Sequence, residues 1–349
     1  MTFSIGIHRL RIKLKCLEGR QTAGSLGDSY ARIFESVKLR KRDLIFPIFV
    51  YEPGNDLFVL KNDIPGFAKI DLKDLTPHIQ RIIDLGITSV IVFGVPRKRD
   101  IGASSALGKH GVVQVTARKI KKEFGGLVNV ITDVCTCQYN LSGHCGLKTK
   151  ARKDVRDHID NDRTLALLSK IAVSHAESGA DVVAPSSMMD GQVQQIRCSL
   201  DSRGFRNTKI MAYSAKHASS LYSPFRMTAY SKHIHNYTTI DKSSYQIGYT
   251  NPRQVIREIE ADIREGADMV MVKPSLFYLD IITMIRDCID FPLVAQNVSG
   301  EYAMIKAAAT RGWIDEEEWK VNSISAMKRA GANNIISYFS MDITRYLDH

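Results

Sequence analysis

Eight short apolar runs recur along the chain with helical patterns between them, and this alternation constrains the fold more than any other feature. The runs are 43–50 (DLIFPIFV), 88–95 (TSVIVFGV), 127–135 (LVNVITDVC), 180–186 (ADVVAPS), 208–216 (TKIMAYSAK), 267–274 (ADMVMVKP), 292–299 (PLVAQNVS) and 333–339 (NNIISYF). Each is nearly continuous in apolar residues, as expected of strands covered on both faces in a parallel sheet. Stretches such as 162–178, 252–265 and 301–311 carry helical spacing, and Gly86, Gly179, Gly266 and Gly331 stand just before the next strand, where a helix C-cap belongs. Eight βα repeats in about 300 residues predict an α/β fold, a TIM (β/α)8 barrel over 43–349 preceded by a basic N-terminal arm over 1–42. A doubly wound open sheet is the alternative, but no G-x-G-x-x-G follows the first run to support a dinucleotide site.

A net charge of +11 would suit a nucleic-acid or anionic-membrane partner if it were spread over the fold. Residues 1–42, however, hold ten Lys/Arg against three Asp/Glu, so the charge sits in the arm and the barrel segment is nearly balanced. No nucleic-acid groove is expected from that distribution. The stretch from Arg9 to Arg20 has the basic character of an organellar presequence without its serine content, and a solvated arm that packs on a partner subunit is the preferred reading. The longest apolar stretch, Ile82 to Val95, is interrupted by Asp84 and closed by Pro96, short of the ~20 residues a bilayer requires. No membrane partner is expected, and a cytoplasmic location is. Three of the six cysteines, Cys135, Cys137 and Cys145, fall within eleven positions, which in a reducing compartment reads as metal or thiol chemistry.

If the barrel is right, the carboxyl ends of its strands face one mouth and carry Asp133, Cys135, Ser186, Lys216, Lys273, Ser299 and Tyr338. A single lysine at a strand end is ordinarily one that snorkels or pairs with a carboxylate. Lys216 and Lys273 end consecutive runs, so their ammonium groups would approach each other, and like charge with desolvation lowers the pKa of at least one. A neutral lysine is a nucleophile for carbonyl carbon, with Schiff-base formation its commonest use. The C-x-C-x7-C spacing of Cys135, Cys137 and Cys145 offers three thiolates, which suit zinc and leave a fourth position open, whereas a disulfide is disfavoured by the compartment. His144 stays open between fourth ligand, proton shuttle and loop residue. Two connections, 136–161 and 217–251, are long enough to build lids. The second holds Arg226, Lys242 and Gln246, which suit a carboxylate or phosphate on the substrate, although each alone would more often be a solvated surface group.

These residues resemble the porphobilinogen synthases, also called 5-aminolevulinate dehydratases, from about Arg42 to Leu347. The resemblance rests on FGVP (93–96), ITDVCTCQYN with GHCG (131–146), NDRTLALL (161–168), HAESGADVVAPSSMMDG (175–191), MAYSAK (211–216), SPFR (223–226), EGADMVMVKP (265–274), VSGEYAMIKAAA (298–309) and GWID (312–315). It implies a TIM barrel with an N-terminal arm that embraces a neighbour in a homo-octamer, and condensation of two 5-aminolevulinate molecules to porphobilinogen with loss of two waters in tetrapyrrole biosynthesis. By motif it implies that Lys273 and Lys216 are the Schiff-base lysines, Asp133 their acid/base partner, and Cys135, Cys137 and Cys145 the zinc ligands. Arg226, Lys242 and Gln246 would hold one substrate carboxylate, and Ser299 and Tyr338 the other. Glu258 in IREIE matches the position where some members place an allosteric magnesium.

Departures from the family pattern are Ser187 for Asp, Gln192 for Arg, Ser142 for His, AQNVSG (295–300) for AYQVSG, and Ser243 for a second basic residue. None removes a residue assigned to catalysis. Two rival readings are weaker. A class I aldolase-type lyase shares the barrel and lysine but has no use for three thiolates, and an RNA- or surface-binding protein would need a basic, aromatic-interleaved face that does not recur after residue 42.

Overall fold

The computed structural model describes residues 26–55, 69–149, 159–229, 241–248 and 250–347. Its strands are β1 (Leu44–Tyr51), β2 (Lys69–Asp71), β3 (Ser89–Val95), β4 (Asn129–Val134), β5 (Val182–Pro185), β6 (Lys209–Lys216), β7 (Met269–Lys273), β8 (Leu293–Gln296) and β9 (Asn334–Ile336). Every pairing among them is parallel. The order β1-β3-β4-β5-β6-β7-β8-β9 closes when Leu44 and Ile45 pair with Ile335 and Ile336, giving the eight-stranded barrel that the eight runs predict. The short β2 is an addition with no counterpart among those runs, and it pairs along β1 beyond the closing register.

The helices are α1 (Leu26–Ser36), α2 (Leu75–Asp84), α3 (Val112–Phe124), α4 (Asn161–Glu177), α5 (Gln192–Ser202), α6 (Ser223–Ala229), α7 (Pro252–Arg264), α8 (Leu279–Cys288), α9 (Ser299–Thr310), α10 (Glu316–Arg329) and α11 (Ser340–Ile343). Their ends follow local chemistry. Asp160 caps α4 by accepting from Arg163 N at 3.1 Å, and Asp315 caps α10 by accepting from Glu318 N at 2.7 Å. Three glutamates in the first turn of α10 and Lys328 and Arg329 in its last match the helix dipole, and Pro252 opens α7, where its missing N–H costs nothing. Gly86, Gly179, Gly266 and Gly331 have φ of 81°, 94°, 101° and 119°, the left-handed region that lets a helix turn sharply into the next strand.

Side-chain parity along the strands separates two layers. Ile91 and Phe93 of β3, Ile131 of β4 and Met271 of β7 fill the barrel interior, while Val90, Val92, Val130, Val270 and Val272 face outward against the helices. On β4 and β7 the inward set continues to Asp133 and Lys273 at the carboxyl ends. Within the predicted arm, α1 buries Tyr30 and Phe34 in the outer layer together with Val321 and Ile324 of α10. The remainder of the arm, 1–25, lies outside the described residues. No described helix is long and apolar enough to cross a membrane.

Candidate active site

Lys216 and Lys273 end β6 and β7 as direct cross-strand partners, each 7% exposed. On β6 strict alternation from Met211 and Tyr213 would turn Lys216 outward. The register slips by one residue between Ala212 and Ala215, so Ala215 joins the outer layer and Lys216 turns into the barrel opposite Lys273. Lys273 Nζ lies over the rings of Tyr213, Tyr222, Phe93 and Phe225 at 4.9, 5.5, 5.7 and 5.9 Å from their centroids. Burial, reinforced by the Lys216 ammonium, lowers Lys273 from 10.5 to about 7. Lys216 Nζ donates to the Ser186 carbonyl. Tyr222 is placed by its hydroxyl between the backbone carbonyls of His217 and Lys273, at 2.9 and 3.0 Å, and so ties the ends of the two lysine strands together.

Asp133 is 5% exposed, and burial raises its carboxyl above the usual range against the hydrogen bonds it receives from Gln138 and Ser186. Gln138 Nε2 donates to Asp133 Oδ2 at 3.0 Å. The sulfurs of Cys135, Cys137 and Cys145 lie within 4.8 Å of one another, all buried. Burial, followed by the neighbouring thiols, pushes the Cys135 thiol up, while hydrogen bonds from Cys135 and Cys137 draw Cys145 down toward the thiolate. Asn140 holds the thiol loop in shape: its Nδ2 donates to the His144 carbonyl at 2.7 Å, and its Oδ1 accepts from Gly143 N at 2.7 Å and Ser142 Oγ at 3.0 Å. Ser142, one of the residues that depart from the family pattern, is thus built into the turn. Soft sulfur donors in a dry, compact triad fit zinc and do not fit magnesium.

One cavity is lined by Phe93, Asp133, Cys137, Ser186, Lys216, Tyr222, Phe225, Arg226, Lys242, Gln246 and Lys273. It gathers both lysines, the carboxyl, one thiol and three of the five predicted carboxylate-binding groups, those expected to hold one of the two substrate carboxylates. Arg226 is 5% exposed, with Cζ 6.0 Å from the Tyr222 ring, and Lys242 Nζ donates to Cys145 Sγ at 3.2 Å. Ser299 and Tyr338 are not on that lining. Both lie beyond the ends of their strands, because β8 stops at Gln296 and β9 at Ile336. Ser299 opens α9 and its Oγ accepts from Phe225 N at 3.0 Å, one step behind the cavity wall. Glu258 lies elsewhere, lining a second cavity with Asp190, Asp262 and Gln192, and among the described residues only the three thiols come within metal-ligating reach of one another.

Sequence reasoning gave no role to Phe93, Gln138, Asn140, Tyr222, Phe225 or Tyr245. Phe93 carried a signal, being on the inward parity of a strand end. Tyr222 and Tyr245 carried none, since irregular connections place them. The departures also find positions: Gln192 accepts from Met189 N at 3.3 Å and donates to the Pro185 carbonyl at 3.5 Å, closing the turn after β5, and Asn297 donates to Glu301 at 3.3 Å. Ser187 Oγ is buried and finds no hydrogen-bond partner among the described residues.

Polar groups drawn from the ends of several different strands and aimed at one cavity are how TIM-barrel enzymes are built, and this chain is one of them. The family model for delta-aminolevulinic acid dehydratase matches residues 20–346. A delta-aminolevulinic acid dehydratase of Archaeoglobus fulgidus is 46% identical over 316 residues, covering 90% of this chain and 94% of that protein. One of Staphylococcus epidermidis is 46% identical over 310 residues, covering 89% and 93%. Among solved structures, the delta-aminolevulinic acid dehydratase (porphobilinogen synthase) of Toxoplasma gondii, in complex with its reaction product porphobilinogen, superposes with a TM-score of 0.82 at 34% identity, covering 93% of this chain and 91% of that one. The chain belongs to the delta-aminolevulinic acid dehydratase family, enzymes also called porphobilinogen synthases.

Proposed function

We propose that the cavity condenses two molecules of 5-aminolevulinate to porphobilinogen, with loss of two waters, through Schiff bases on Lys273 and Lys216. The observation that carries the reading is the cross-strand pairing of the two lysines over one cavity that also holds Asp133 and Cys137. Lys273, held near neutrality, adds as a free amine to a substrate ketone, and expulsion of water leaves an iminium. A second substrate held on Lys216 then reacts within the same cavity, turning a bimolecular condensation into an intramolecular one. Asp133, beside both amines and kept protonatable by burial, moves protons to and from the reacting atoms.

Arg226, Lys242 and Gln246 bind the carboxylate of one substrate, and that of the other is assigned by the resemblance alone to Ser299 and Tyr338, which do not line the cavity, so that two identical molecules take different roles. Cys135, Cys137 and Cys145 would hold zinc, which when bound would supply Lewis-acid chemistry to the cavity. The magnesium that the resemblance attaches to Glu258 takes no part in this chemistry. Assembly as a homo-octamer, with the arm on a neighbour, belongs to the same proposal and is tested by the mass of the particle in solution.

Purified protein given 5-aminolevulinate and zinc under reducing conditions is expected to form porphobilinogen, read by its colour reaction. Product formation that persists undiminished in Lys273→Met would overturn the assignment.

A further inference from the structure

Between the thiol loop and the lysine strands runs the segment 241–248, and it is fastened to both. At one end Ile247 N donates to the Lys216 carbonyl at 3.1 Å, and Ala218 N donates back to the Ile247 carbonyl at 2.9 Å, so the segment continues the edge of β6. On the side of the thiol loop the Tyr245 hydroxyl meets Cys145 N at 3.2 Å and His144 Nδ1 at 3.1 Å. A backbone N–H can only donate, so the phenol oxygen accepts from Cys145, and the His144 imidazole tautomer sets the direction of its second bond. The ring is partly buried against the apolar residues on both sides. Within the same turn, Gln246 N and Tyr245 N both donate to the Lys242 carbonyl, at 2.9 and 3.2 Å. Lys242, Tyr245 and Gln246 are therefore held in one backbone turn.

We propose that Tyr245 is a positioning residue that couples the thiol site to the substrate-carboxylate grip. Its hydroxyl ties the Cys145 backbone to the turn bearing Lys242 and Gln246, alongside the Lys242 Nζ–Cys145 Sγ hydrogen bond, so filling the thiol site orders that turn. Coupling of this kind is reciprocal: the ordered turn in its place favours the filled thiol site. The inference rests on the reading of the three thiols as a metal site, and the test separates the two.

Backbone amide exchange is measured on the full chain, wild type and Tyr245→Phe, with metal chelated and with Zn2+ added, in the absence of substrate. Phe keeps the ring and its packing and removes only the hydroxyl. In the wild type Zn2+ is expected to slow exchange over both 135–145 and 241–248, the latter by about tenfold, the scale of one net hydrogen bond. In Tyr245→Phe the slowing over 135–145 should persist while that over 241–248 falls below about threefold, with exchange in α10 unchanged as a control for global stability. Equal slowing of 241–248 in both proteins overturns the coupling role. Slowing of 135–145 alone in the wild type does so too and leaves the metal reading standing, whereas Zn2+ without effect on 135–145 removes the metal reading and the coupling with it.

Discussion

The Lys216→Gln substitution should raise the pKa of Lys273 and so slow Schiff-base formation at a lysine it does not alter. The depression of Lys273 from 10.5 to about 7 amounts to roughly 5 kcal/mol of destabilised ammonium. Burial is the larger cause and the Lys216 charge the next, with Asp133 opposing both. Two ammonium groups on cross-strand partners, at a separation of about 4–8 Å and an effective dielectric of about 20, repel by roughly 2–4 kcal/mol. After the carboxylate offsets part of that, on the order of one to two pKa units belong to Lys216. The assay is reductive trapping of 5-aminolevulinate with cyanoborohydride across pH, with the adduct on Lys273 counted by peptide mass spectrometry. The wild-type midpoint is expected near 7 and that of Lys216→Gln near 8 to 9, so at pH 7 the neutral amine falls from about half to at most a tenth of the enzyme. A midpoint that does not move would show that burial alone tunes Lys273. A wild-type midpoint near 10 would refute the argument from the neutral amine altogether.

Other substitutions test other parts of the molecule. Because the folded pKa of Lys273 lies below its unfolded value of 10.5, the unfolded chain binds more protons between about pH 7 and 10.5, stability rises with pH across that window, and the penalty is full below 7; Lys273→Met should therefore raise Tm at pH 6 and lose that advantage above 10.5, and equal Tm values at pH 6 would contradict it. Arg226→Lys keeps the charge and loses the planar two-pronged grip, so kcat/KM for 5-aminolevulinate should fall by about 10–100-fold; steady-state rates equal to wild type would remove the clamp. Chelation, or Cys135→Ala, should abolish porphobilinogen formation, with Zn2+ and a reductant restoring the chelated wild type and Mg2+ failing to. Gly300→Ala places a Cβ 2.4 Å from the Leu221 carbonyl oxygen, and forcing α9 away from that turn should cost about 1–3 kcal/mol in denaturant unfolding.

The barrel was legible in the sequence because a strand covered on both faces must be apolar throughout, and eight such runs separated by helical patterns leave few other ways to pair. Most of the cavity was legible for a related reason. On β4 and β7 side-chain parity is unbroken, so Asp133 and Lys273 follow the inward-facing residues before them. The three thiols declare themselves through their spacing.

Other features were settled by contacts that no local pattern encodes. Lys216 reads as a mouth residue from its place at a strand end, yet strict parity along β6 would face it out, and the one-residue slip against β7 is what turns it toward Lys273. Ser299 and Tyr338 fall just beyond strands that end earlier than their apolar runs, at Gln296 and Ile336, because ladder partners rather than hydrophobicity decide where a strand stops. Tyr222 and Tyr245 sit in irregular connections with no period to follow, and their roles exist only where residues separated by 51 and 100 positions meet. Sequence periodicity specifies what each segment can do by itself, while register and long-range hydrogen bonds, which depend on two segments at once, specify where its side chains go.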